Sequence, residues 1–152
     1  MKKKYVIGIG NYINNDDSIG LRVVEHIVDN NLDNDFDAIE IGNDGMQIMT
    51  YFTEQTKKIV IVDCVQMNKS PGDYLLFDVN DVESEKISGN ISTHEGDMLK
   101  LIDLGKKLNY VIPPIMIFAV EPASIKAEMK LTQKLKDSIP LYSNEVIKEI
   151  TK

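Results

Sequence analysis

The run Ile59-Val60-Ile61-Val62 has no polar position to face water. Such a run predicts a strand, Lys58–Val62, covered on both sides and ending at Asp63. Tyr5–Gly8, Phe36–Ile41 and Ile115–Val120 are further short strand-like runs, the last closed by Glu121-Pro122. Between them the apolar period becomes helical. Ile19, Val23, Val24, Ile27 and Val28 recur behind Ser18, a candidate N-cap, and Asn30-Asn31 ends that stretch. Met46, Ile48, Met49 and Phe52 predict a short helix after the turn Gly42-Asn43-Asp44-Gly45. Ser92-Thr93-His94-Glu95 opens another helix to about Leu108, with Met98, Leu99, Leu101 and Ile102 inward. Leu135, Ile139, Tyr142, Val146 and Ile150 form one stripe across Pro140. That stripe predicts a single helix from about Thr132 to Ile150, kinked where Pro140 offers no N–H to the carbonyl of Lys136.

The pattern changes once more at Tyr74–Val79, a strand joined to Lys58–Val62 through Pro71-Gly72. The link is short for a parallel crossover, so this pair is expected to be antiparallel. Alternating strands and helices predict an α/β fold: a single-domain three-layer sandwich over residues 1–152, phosphorylase/hydrolase-like, with a mostly parallel five-stranded sheet and one antiparallel strand. Neither a repeat nor a low-complexity linker interrupts it.

Composition narrows the function. The chain has 152 residues, a one-domain length, with 43% hydrophobic and 27% charged positions, as in ordinary globular proteins. With 17 Lys and Arg against 24 Asp and Glu, the net charge is −7. That balance disfavours nucleic acid as a partner and suits a basic protein surface. Cys64 is the one cysteine, so an internal disulfide is excluded and a reducing, cytoplasmic setting is expected. Met1-Lys2-Lys3-Lys4 imitates the start of a signal peptide, but the apolar stretch after it breaks at Asn11 and reaches Asn14-Asn15-Asp16-Asp17. No targeting segment or membrane span is read there.

In such folds ligands collect at the carboxyl edge of the sheet. Asp17, in the loop after the first strand, Asp63, at a strand end, and His94, at a helix start, all fall on that predicted edge. Two carboxylates and a neutral imidazole suit a borderline divalent ion such as nickel or zinc. Each also has a plainer reading: Asp17 as an acid at a helix N-terminus, Asp63 as a strand terminator, His94 as a surface residue in a first turn. His26 falls off the apolar stripe of its helix and is read as solvated. Cys64 points to the opposite strand face from Asp63 and reads as a small buried hydrophobe. No Gly-x-Ser-x-Gly elbow occurs, and Gly8-Ile9-Gly10 is half of a dinucleotide fingerprint without its third glycine.

Gly8-Ile9-Gly10-Asn11, followed by Asp16-Asp17-Ser18-Ile19-Gly20 and Val23, resembles the opening signature of the hydrogenase maturation proteases. The resemblance runs over nearly the whole chain, through Val62-Asp63-Cys64, Ser92-Thr93-His94-Glu95 and Ile117–Pro122. It implies an endopeptidase that removes the C-terminal extension of a nickel–iron hydrogenase large-subunit precursor after nickel insertion. It also implies Asp17, Asp63 and His94 as the catalytic, metal-contacting residues. Nickel would then arrive with the precursor and serve as the recognition signal; zinc or cadmium could substitute. Where the family usually carries Asp-Gly-Gly-Thr, this chain reads Glu40-Ile41-Gly42-Asn43, which leaves Glu40 as a further candidate for substrate positioning.

Two other readings compete. Peptidyl-tRNA hydrolases open with a similar Gly-x-Gly-Asn loop, but they require an early histidine there, and Tyr12 to Asp17 contains none. A nickel-binding assembly chaperone that does not cut is the non-enzymatic alternative, since no separate nucleophile is visible.

Overall fold

The apolar runs lie side by side in one sheet. Its strands are β1 (Lys3–Ile9), β2 (Asp37–Gly42), β3 (Thr56–Cys64), β4 (Tyr74–Asp78) and β5 (Ile115–Val120), in the order β2-β1-β3-β5-β4. The computed structural model describes residues 1–43, 45–83 and 94–152, and the side chains of these apart from 82, 83 and 94–97. Four strands are parallel, and β4 runs antiparallel to β5. The antiparallel strand was expected, but beside β3. Instead β5 occupies that place, pairing Ile59 with Ile115 through to Cys64 with Val120. The reason is burial: all of β5 but Met116 is buried, which demands a central position, whereas β4 has one buried residue and tolerates the edge.

Helices α1 (Ile19–Asp29) and α4 (Gln133–Ile150) cover one face, and α3 (His94–Lys107) with the 3₁₀ turn Gly45–Tyr51 covers the other. Strand alternation sorts the core accordingly. Val6, Val60, Val62, Cys64 and Phe118 pack with Val23, Val24, Ile27, Tyr142 and Val146. Ile7, Ile59, Ile61 and Ile117 pack with Ile48, Phe52, Met98 and Ile102. The sandwich is therefore three-layered, as the periodicity predicts.

Local departures have local causes. Val79 opens a short helix, α2 (Val79–Glu83), in place of ending β4. Residues 45–51 form a 3₁₀ turn because Ile48 alone of that segment is buried, too little apolar surface to hold a longer helix. Ser18 occupies the N-cap position of α1, but its hydroxyl donates backwards to the Asn15 carbonyl at 2.7 Å. Helix α4 continues through Pro140 as one element. No helix among the described residues is long and apolar enough to cross a membrane.

Candidate functional site

From β1 the chain steps outward to β2, then returns past β1 to β3. This reversal makes the carboxyl ends of β1 and β3 a topological switch point, where open α/β sheets hold ligands. The glycine-rich loop is built for close approach there. A Cβ on Gly20 would lie 2.2 Å from the Val62 carbonyl oxygen and 2.5 Å from that of Ile9. One on Gly10 would lie 2.0 Å from the Asp17 carbonyl oxygen. The motif glycines thus serve to press the start of α1 onto the ends of β1 and β3, which explains the pattern without a phosphate ligand.

Asp63 is the penultimate residue of β3, paired with Ala119, and only 3% exposed. Strand β3 runs one residue past it, through Cys64, so Asp63 is part of the ladder and not its terminator. Its Oδ1 accepts the Cys64 N–H at 2.8 Å. By alternation it shares the face of Ile59 and Ile61, the face that α3 covers. Asp17 is half-buried in the 3₁₀ turn Asn15–Ser18, its N–H donating to the Asn14 carbonyl at 3.0 Å. Burial first, then the charges of Asp63, Asp17, Asp16 and Glu121, push the Cys64 thiol far above its ordinary range. Four carboxylates therefore surround the end of β3, and Cys64 itself is buried against the α1–α4 side.

The His94 side chain lies outside the described residues, as do Ser92 and Thr93. Its helix leads back to the start of β5, which runs parallel to β3, so the α3 start is directed toward the carboxyl edge. Among the described residues no group of three or more His, Cys, Asp and Glu is arranged to hold a metal ion.

Glu40 belongs to a different arrangement. It shares strand parity with Ala38, on the α1 side, opposite to Asp63. The Tyr12 hydroxyl is hydrogen-bonded to Glu40 and lies 3.3 Å from Glu25 of α1. The Arg22 guanidinium stacks 4.7 Å above the Tyr12 ring and donates to the Met129 carbonyl at 2.8 Å. Burial and the two carboxylates raise the Tyr12 phenol above its usual range, so it acts as a donor that holds Glu40. Asp44, in the altered turn, lies outside the described residues.

Sequence reasoning passed over two buried acids. Asp16 is fully buried and accepts four N–H or O–H groups. Glu121, 6% exposed, accepts the N–H groups of Met67 at 2.7 Å and Lys69 at 2.9 Å, tying the loop after β3 to the end of β5. The available signals were the doubled acid Asp16-Asp17 and the acid before Pro122. Neither reveals which carboxylate turns inward.

Residues 21–149 match the family model described as hydrogenase maturation protease. The chain is 28% identical over 153 aligned residues to the coenzyme F420 hydrogenase subunit delta of Methanothermobacter thermautotrophicus, covering 95% of this chain and 92% of that protein. A protein of Methanocaldococcus jannaschii, provisionally named a hydrogenase maturation protease, is 34% identical over 89 residues, 57% of this chain and 58% of its own length. The backbone superposes on the hydrogenase maturating endopeptidase HybD of E. coli with a TM-score of 0.81, at 19% identity, over 98% of this chain and 92% of that one.

Proposed function

The chain belongs to the hydrogenase maturation protease family, and on that premise we propose that it cuts the C-terminal extension from a nickel–iron hydrogenase large-subunit precursor already loaded with nickel. A protease role in hydrogenase maturation follows from the family; the nickel-reading step and its residues are the proposal. In this reading Asp17, Asp63 and His94 contact the nickel that the precursor carries, and zinc or cadmium can stand in for it. An empty precursor offers the carboxylates no cation, so cutting waits for correct metal insertion. The attacking group is a water. Its oxygen adds to the scissile carbonyl while a carboxylate of the site takes its proton and then returns it to the leaving amine. Glu40, held by Tyr12 on the α1 side, is the further candidate for positioning the substrate.

The observation that carries the reading is placement: Asp17 follows the end of β1 and Asp63 lies near the end of β3, at a topological switch point, on a chain of this family. The test uses purified protein with nickel-loaded and nickel-free precursor. Cleavage of the loaded form alone is expected, abolished in Asp17→Asn, Asp63→Asn and His94→Ala with the fold retained by circular dichroism. Equal cleavage of both forms would overturn nickel reading. Tight binding of the loaded precursor without cleavage would favour the assembly chaperone.

A further inference from the structure

Asp17 sits in a turn whose backbone is stapled from outside. The residue before it, Asp16, is 0% exposed. Its Oδ2 accepts the N–H of Ala123 at 2.8 Å and of Ser124 at 3.1 Å; its Oδ1 accepts the N–H of Thr132 at 2.8 Å. The Thr132 hydroxyl lies within 2.9 Å of Oδ1 and 2.8 Å of Oδ2. Both oxygens are therefore saturated by donors, as a buried carboxylate requires, and none of its lone pairs is left to ligate an ion. Asn15 extends the staple. Its N–H donates to the Glu128 carbonyl at 2.8 Å, and its Nδ2 donates to the Lys130 carbonyl at 2.8 Å. Its Oδ1 accepts the Ser124 hydroxyl at 3.0 Å. Asn15 adopts φ of 45°, a left-handed conformation that asparagine tolerates. Segment 123–132, between β5 and α4, is thereby closed onto two consecutive residues of the first loop.

The consequence for Asp17 is geometric. In a 3₁₀ turn successive side chains diverge by about 120°, because there are about three residues per turn. Anchoring Asp16 inward therefore sets the direction in which Asp17 leaves the turn. The Asp17 backbone is held as well: its carbonyl accepts the Asn11 N–H at 3.4 Å and lies where any Cβ on Gly10 would fall.

We propose that Asp16 is the positioning residue for Asp17, and that Thr132 is the partner through which the β5–α4 segment sets the angle of that carboxylate. The proposal rests on the reading of Asp17 as a nickel-contacting group. Asp16 touches neither metal nor substrate; it acts by holding the turn. Its doubled-acid neighbour in the sequence is thus a division of labour, one acid spent on structure so that the other is aimed.

The test measures processing of nickel-loaded precursor by the full chain carrying Asp16→Asn, Thr132→Val or Thr132→Ser, beside Asp17→Asn. Rates are taken per folded molecule, with the folded fraction read by circular dichroism at the assay temperature. Thr132→Val keeps the backbone N–H bond to Asp16 and removes only the hydroxyl, so it serves where Asp16→Asn fails to fold. A misaimed Asp17 weakens recognition of the loaded precursor. KM is expected to rise about tenfold in Asp16→Asn, within the roughly 10²-fold cost of misplacing a group at a reacting site. A smaller rise is expected in Thr132→Val, and Thr132→Ser restores the wild-type KM. A purely structural role would lower the folded fraction and leave both KM and the rate per folded molecule unchanged, which would overturn the proposal. The two levels separate cleanly. If Asp17→Asn processes normally, the nickel-contact reading fails. If Asp17→Asn is inactive while folded Asp16→Asn and Thr132→Val keep the wild-type KM, the positioning role alone fails.

Discussion

Cys64 and Asp63 are neighbours in sequence with opposite surroundings. Alternation sends Asp63 to the face of α3 and Cys64 into the packing of Phe118 and Val120. Burial and four nearby carboxylates keep the thiol protonated well above neutral pH, the reverse of what a nucleophilic cysteine needs. Cys64→Ala should therefore retain processing of nickel-loaded precursor and lose about 1 kcal/mol of stability, the low end for truncating a buried side chain. Alkylation by iodoacetamide should follow the unfolding curve. Loss of activity with unchanged stability would show that the thiol takes part. The placement of Cys64 was legible from strand parity alone. The fates of Asp16 and Asp17 were not, because two identical side chains in a turn differ only in which donors the distant segment 123–132 brings to them.

At the scale of elements, the first turn of α1 is pressed against the ends of two strands. Ala in place of Gly20 gains about 1 kcal/mol of helix propensity. Its Cβ, however, meets carbonyl oxygens of Val62 and Ile9 at 2.2 and 2.5 Å, backbone atoms that cannot rotate away. Gly20→Ala should lose about 3 kcal/mol net, the upper part of the usual overpacking range, seen as a lower urea midpoint. An unchanged midpoint would mean that helix and strands are not locked together. The strands and α1 were readable because their apolar periods span several residues. The antiparallel direction of β4 was readable from its short link; its neighbour was not, because a link constrains direction and reach while burial on both faces decides which strand lies inside.

Across the whole molecule, the end opposite the site is closed by Lys58 and Glu149. Their side chains pair at 2.6 Å with 17% and 8% exposure, joining the start of β3 to the end of α4. Burial opposes ionisation of Glu149, but the hydrogen bond and charge of Lys58, helped by Lys152, outweigh it and hold the carboxyl below its ordinary 4.5. A depressed folded value means that the stabilisation is present above pH 4.5 and is lost as the pH falls below it. Lys58→Met should cost about 1.5–3 kcal/mol at neutral pH, the range for a hydrogen bond to a charged group. The gap from wild type should shrink on acidification; urea titrations at several pH values read it directly. A gap independent of pH would assign the loss to packing. The sequence by itself determined the α/β class, the three layers, the carboxyl-edge placement of Asp17 and Asp63 and the burial of Cys64, since these follow from local periodicity and chain direction. Only the tertiary structure decided that β5 separates β3 from β4, that Glu40 is bound on the α1 side, and that Asp16 is spent on the segment before α4. Those outcomes depend on which distant groups meet, and hydrogen-bond donors brought together by folding leave no period in the chain.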